Sequence, residues 1–237
     1  MADEKNICRF NRDIEENAGY YYTQTSELSC RLANQRLNRA VLEMTDLAGK
    51  NVIDIGCGDG TYTLELLKLH PKYVLGVDAA WTAIDLARKK VITSENVEFR
   101  VLDVYELTNL HKKFDVAIVR GILHHLYDVE KAIFNTLKIA VEIIVIEPNG
   151  YNPVLKIIEK ISRYHIEHEE KSYPPHKLNK WFSQKGGKLI KASYCNLVPF
   201  FCWDIVARTL KVIEPFVEKT PLLKQLFCAV YVMKIRS

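Results

Sequence analysis

Five short apolar runs alternate with segments of helical period between residues 51 and 147, and few architectures accommodate that alternation. The runs are NVIDI at 51–55, YVLGVD at 73–78, VEFRVL at 97–102, FDVAIV at 114–119 and EIIVIE at 142–147. Between them, TYTLELLKL, TAIDLARKK and VEKAIFNTL carry apolar residues at helical spacing. Strand and helix taken in turn predict an α/β fold, a parallel sheet covered by helices on both faces.

The flanks read differently. Up to about Leu47 the chain has the pattern of a helical arm, with Leu32, Leu37, Val41 and Met44 at helical spacing behind the aromatic cluster Tyr20, Tyr21, Tyr22. After Pro148 the alternation stops. Residues 150–185 read as two helices around the polar stretch YHIEHEEKSY, and a strand follows near 188–194. An apolar helical stretch from 203 to about 217 then leads to a last strand, FCAVYVMKI at 227–235. Two closing strands joined by a long insertion predict an antiparallel finish. The 237 residues are thus expected to form one domain: an arm (1–47), a core (48–149), a lid insertion (150–185) and closing strands with a helical insertion (186–237). A core of this size needs no disulfide or metal to hold it together.

The string VIDIGCGDG at 52–60 is a strand running directly into Gly56, Gly58 and Gly60, with a helix expected from Thr61. Glycines suit such a turn because it is tight and because a Cβ would obstruct a ligand approaching the backbone. A dinucleotide loop has the spacing G-x-G-x-x-G and aims its helix at a pyrophosphate. Here the third glycine comes one residue early and Thr61 holds the dinucleotide glycine's place. Asp54 precedes the loop and Asp59 lies within it. Carboxylates there repel a pyrophosphate and suit a ligand with an ammonium group. Two further acids end neighbouring strands. Asp78, 22 residues past Gly56, is placed to accept ribose hydroxyls, and Asp103 to accept from an adenine amino group.

DIGCGDG, the Asp78 strand end, LDVYEL and FDVAIVRGILHHLYDVEKAI together resemble the successive motifs of the class I S-adenosylmethionine-dependent methyltransferases, over roughly residues 48–150. The resemblance implies a Rossmann-like seven-stranded sheet, mostly parallel, with the last strand antiparallel, and S-adenosylmethionine as cofactor. It implies that Gly56, Cys57, Gly58 and Gly60 line the methionine moiety together with Asp54. It further implies Asp78 with Ala79 at the ribose, Asp103 with Val104 at the adenine, and Arg120 with Gly121 near the methionine end through their backbone. One departure is the missing Pro-Gly-Gly-type turn in NTLKIAVEIIVIEP, which leaves the start of the fifth strand open.

Absences narrow the acceptor. No Asp-Pro-Pro-Tyr or Asn-Pro-Pro-Tyr string follows the fourth strand, which argues against methylation of a nucleobase amino group. The paired-glutamate loop of protein arginine methyltransferases is not evident. A catechol-type magnesium site would want an acid where Arg120 stands. LHHL at 123–126 resembles instead the small-molecule branch of quinone, sterol and sugar modifiers. An O-methylated small molecule, free or lipid-linked, is the expected acceptor. The insertion offers His165, His168 and His176 with Glu147, Glu167 and Glu169 near the cofactor end of the sheet. His165 and His168 are candidate bases because an imidazole with a pKa near 7 suits removal of a hydroxyl proton. His125 is favoured over His124 as the site-lining residue. The expectation for 150–185 is a lid bearing these histidines, closed by Tyr164, Tyr173 and Trp181.

Tyr127 and Lys131 form the Y-x-x-x-K of short-chain dehydrogenases. They follow the fourth strand, however, and those enzymes carry the pair after the fifth; the glycine spacing disagrees as well. A non-catalytic S-adenosylmethionine-binding module is the other alternative. Net charge is +4 with Lys and Arg dispersed, which points away from nucleic acid. Six cysteines without a C-x-x-C pair suggest reduced thiols, no metal site and a cytoplasmic chain, and the charged start MADEKNICRF is unlike a signal peptide. No apolar run is long enough to span a bilayer. FFCWDIVARTLKVIEPFVEKTPLL at 200–223, apolar around most of its circumference, is expected to be buried against the lid, with peripheral lipid contact as the alternative.

Overall fold

A computed structural model describes residues 2–17, 21–24, 27–91, 94–162, 166 and 171–237. The arm consists of α1 (Ala2–Asn17), a single turn α2 (Tyr21–Gln24) and α3 (Leu28–Met44). The alternating region follows as β1 (Asn51–Ile55), α4 (Thr61–Leu66), β2 (Tyr73–Asp78), α5 (Trp81–Lys90), β3 (Val97–Val101), β4 (Phe114–Arg120), α6 (Val129–Ile139) and β5 (Ala140–Pro148). Then come α7 (Pro153–Ile161), α8 (Pro175–Gln184), β6 (Lys188–Cys195), α9 (Asp204–Lys219), α10 (Pro221–Phe227) and β7 (Val230–Arg236).

The seven strands form one sheet in the order β3-β2-β1-β4-β5-β7-β6. The first five are parallel, and β7 inserts antiparallel between β5 and β6. Successive residues of a strand point to opposite faces. Ile53, Leu75, Ala117, Ile143 and Met233 therefore pack with α6 and α8 on one side, while Val52, Val74, Val116, Ile144 and Val232 pack with α3 on the other. Burial on both faces is why these strands read as nearly unbroken apolar runs. Strand order reverses at β1, whose neighbours β2 and β4 carry the chain outward in opposite directions. The crevice at the carboxyl ends of β1 and β4 is where such sheets bind ligands.

Two elements differ from expectation. The missing turn before the fifth strand is explained by α6 passing into β5 at Ala140 without an intervening loop. The stretch around 204–219 is not buried against the lid. Helix α9 packs on α3 and α10, burying only Ala207, Glu214 and Val217, while Ile205, Val212 and Phe216 stay exposed. Arg36 of α3 fixes it there, with its Nε and Nη2 each 2.8 Å from a carboxylate oxygen of Glu218. Composition alone could not reveal this, because the inward positions are shared by Ala207 and Val217 with the ion-paired acids Glu214 and Glu218.

Candidate functional site

The carboxyl ends of β1, β2 and β4 border a cavity of about 350 Å³. Its floor is the glycine loop, and it is roofed by the N-terminal arm, which contributes Ile7, Phe10 and Ile14 of α1, Tyr22 of α2 and Leu37 of α3. A helical arm was expected there; that it covers the crevice was not.

The three loop glycines serve different ends. All have positive φ, +75° at Gly56, +53° at Gly58 and +74° at Gly60. A Cβ on Gly56 would lie 2.0 Å from Ile122 Cγ2, and one on Gly60 would lie 2.7 Å from Phe99 and 2.8 Å from Ala87. Those two glycines are required by packing. A Cβ on Gly58 would meet nothing within 4 Å, so here the backbone is open to a ligand. Gly60, expected at the methionine moiety, is not among the cavity-lining residues; it caps α4 against Phe99. Cys57 lines the cavity, but it packs against Ile84, Ala87 and Phe99, and burial pushes its thiol pKa well up.

The acids divide likewise. Asp54 is buried and accepts from Thr63 Oγ1 at 2.6 Å. Burial pushes its pKa up to about 6, partly offset by Thr63 and by the charge of Arg120. Asp78 accepts from the backbone N–H of Gly58 at 2.9 Å and of Ala80 at 2.8 Å, tying the end of β2 to the glycine loop. Burial raises its pKa, against those hydrogen bonds. Asp103 accepts from Tyr105 N–H at 2.9 Å. Asp54, Asp78, Ala79, Asp103 and Val104 all line the cavity. Asp59 also lines the cavity, already engaged by neighbouring groups. It sits 2.8 Å from Lys90 and accepts from Thr23 Oγ1 and Thr61 N–H. Burial would raise its pKa, but Lys90 and these donors bring it below the ordinary value.

Arg120 lines the cavity with its side chain held by α3. Its Nη1 is 2.8 Å from Asn38 Oδ1, its Nη2 is 3.0 Å from Asn34 Oδ1, and the guanidinium lies 3.7 Å above the Tyr62 ring. Beyond it, Glu147 at the end of β5 is buried. One carboxylate oxygen accepts from the N–H groups of Ile122 and Leu123 at 3.0 and 2.9 Å. The other is 2.8 Å from His124 Nδ1. His124 and His125 both line the cavity, with His125 edge-on to Phe10 at 5.1 Å. The carboxylate partner thus belongs to His124, not to the favoured His125. The pairing follows from sheet register, which puts Arg120 opposite Ile146 and so brings the ends of β4 and β5 together.

Of residues 150–185, Leu155 and Glu159 of α7 and Ser172 line the cavity. Helix α8 packs on α6 and β6 instead, with Tyr173 and Trp181 against the core. His176 is exposed and hydrogen-bonds Tyr151 at 2.6 Å. His165, His168 and Tyr164 lie outside the described residues. Among the described residues no cluster of His, Cys, Asp or Glu has a metal-holding arrangement.

A family profile described as a methyltransferase domain matches residues 46–196. The ubiquinone biosynthesis O-methyltransferase of Coxiella burnetii is 33% identical over 90 residues, covering 38% of this chain and 38% of that protein. The tRNA U34 carboxymethyltransferase of Campylobacter fetus is 32% identical over 84 residues, covering 35% and 30% respectively. The match thus spans only about a third of the length of these curated relatives. The solved magnesium protoporphyrin IX methyltransferase from Synechocystis PCC 6803 with bound SAH superposes with a TM-score of 0.63 at 17% identity, over 90% of this chain and 89% of that one, a likeness of fold. With the family profile covering more than half of the chain, the protein belongs to the class I S-adenosylmethionine-dependent methyltransferases.

Proposed function

We propose that the protein transfers a methyl group from S-adenosylmethionine to a hydroxyl of a largely apolar small-molecule acceptor, free or lipid-linked. When bound, the cofactor supplies an electrophilic methyl on a sulfonium. The residues fit it: Gly58 leaves room at the loop, and Asp54, Asp78 and Asp103 make that end of the cavity acidic. Such a site favours a ligand bearing an ammonium, a sulfonium and hydroxyls over one bearing a pyrophosphate. Asp54 would hold the ammonium, Asp78 with Ala79 the ribose, and Asp103 with Val104 the adenine. The acceptor would lie under the arm, against Phe10, Tyr22 and Leu155.

The observation that carries O-methylation is the His124–Glu147 pair. Glu147 already takes two backbone donors on one oxygen, so its other oxygen accepts Nδ1–H of His124 and fixes the tautomer whose Nε2 is the proton acceptor. A base so oriented removes the hydroxyl proton as methyl transfer proceeds. Proximity and in-line orientation of acceptor and sulfonium supply the rest. The apolar lining supports a small acceptor over a nucleic acid, the acceptor class in the name of the Campylobacter relative.

The test is transfer of labelled methyl from S-adenosylmethionine into a metabolite and lipid extract, with bulk tRNA in parallel. Label is expected in an ether-linked small molecule or lipid and not in tRNA; the reverse would refute the acceptor class. His124→Ala is expected to lower turnover about a hundredfold while binding S-adenosylhomocysteine as the parent does. If His165→Ala or His168→Ala loses turnover and His124→Ala does not, the base sits in 150–185 instead.

A further inference from the structure

Helix α9 is inside out for a globular surface. At 100° per residue, Ile205, Val212 and Phe216 fall on its outward side, and Val212 is 80% and Phe216 67% exposed. Its glutamates turn inward. Glu214 is only 3% exposed, accepts from Leu197 N–H and pairs with Lys211, and Glu218 pairs with Arg36. The same inversion recurs in α7, where Ile157 and the 73% exposed Ile161 face out while Leu155 and Glu159 face the cavity. Helix α10, with exposed Leu222, packs against both and joins the two apolar stripes into one surface. Contiguous apolar surface of this kind marks a docking site.

Charge says what docks there. On α9, Arg208 and Lys219 flank the apolar stripe, and on α7 Lys160 does. The acids that would neutralise them are consumed inside the fold, leaving Asp204 as the exposed acid of α9. An apolar strip edged by cations, on helices that are not long and apolar enough to cross a bilayer, has the character of an interfacial surface. A two-fold dimer through this face would set the same cations near one another.

We propose that the outward face of α9, α10 and α7 seats the protein on the headgroup region of an anionic bilayer. Helix α7 then has one side in the lipid and the other on the cavity, so an apolar acceptor reaches the cavity from the membrane. The docking itself requires nothing of the acceptor or of the reaction, so its failure and that of the proposed function are separable.

The experiment is co-sedimentation of the full chain with vesicles of phosphatidylcholine alone and of phosphatidylcholine mixed with phosphatidylglycerol. Binding to the anionic vesicles is expected, weakening with salt. Val212→Glu with Phe216→Glu should reduce it at least about tenfold without changing Tm or S-adenosylhomocysteine affinity. Arg208→Gln with Lys219→Gln should remove the preference for anionic vesicles. Absence of vesicle binding by the parent, or equal binding by the Val212/Phe216 variant, would overturn the proposal. So would a solution dimer abolished by that variant, which would give the face to a second copy.

Discussion

Asp54 is the residue whose chemistry is most exposed to test. Its pKa, pushed up to about 6 by burial, lies above the ordinary carboxylate value, so between that value and about 6 the folded state binds more protons than the unfolded one. Asp54's contribution to stability is therefore lost as pH rises through that window. A cationic ligand reverses the preference by favouring the ionised form. Affinity for S-adenosylhomocysteine should rise as pH passes upward through about 6 and then level off, and Asp54→Asn should bind weakly with a flatter profile, Asp78 being the raised carboxyl that remains. Calorimetry across that range checks this; a parent profile as flat as the variant's would remove Asp54 from the ammonium site. The glycines make a second test. Gly60→Ala meets Phe99 and Ala87 in left-handed backbone and should cost about 2 kcal/mol or more in urea unfolding. Gly58→Ala, with open space around its Cβ, should cost about 1 kcal/mol and act mainly on ligand affinity. Equal losses would mean the loop is uniformly strained. Sequence could not separate these positions, since positive φ demands glycine whether the neighbour is a ligand or Phe99.

At the scale of elements, local periodicity located the strands and helices because each depends on residues a few places apart. What it left open was which face meets what. Helix α9 reads as apolar around most of its circumference, yet it has a polar inward side, specified by Arg36 far away in the chain. That contact predicts a loss. Arg36→Ala leaves Glu218 in a largely buried place without its guanidinium partner and should destabilise the fold by about 3 kcal/mol, with Arg36→Lys recovering part of it because one charge-assisted bond survives. Unchanged urea midpoints would mean α9 is held by Ala207 and Val217 alone. The same limit hid the His124–Glu147 pair. Sequence alone favours His125 over His124 and groups Glu147 with the histidines of 150–185, because only the β4–β5 register joins the pair. Nor did the pattern of Ile7, Phe10 and Ile14 in α1 say that this face roofs the crevice.

For the whole molecule, topology and cofactor class were legible because they rest on a strand-loop-helix string and on acids at successive strand ends, all specified close together in sequence. The acceptor was not, because its cavity wall is assembled from α1, α2, α3, α7 and the end of β5, which no local pattern connects. The acids at the strand ends and the open Gly58 suit a ligand with an ammonium and hydroxyls and not a dinucleotide. Titration calorimetry of the purified chain with S-adenosylhomocysteine and, separately, with NAD tests that claim most directly. Saturable one-to-one binding of S-adenosylhomocysteine is expected, weakened in Asp78→Ala by about 1–3 kcal/mol, with no heat from NAD. Saturable binding of NAD with no response to S-adenosylhomocysteine would contradict it.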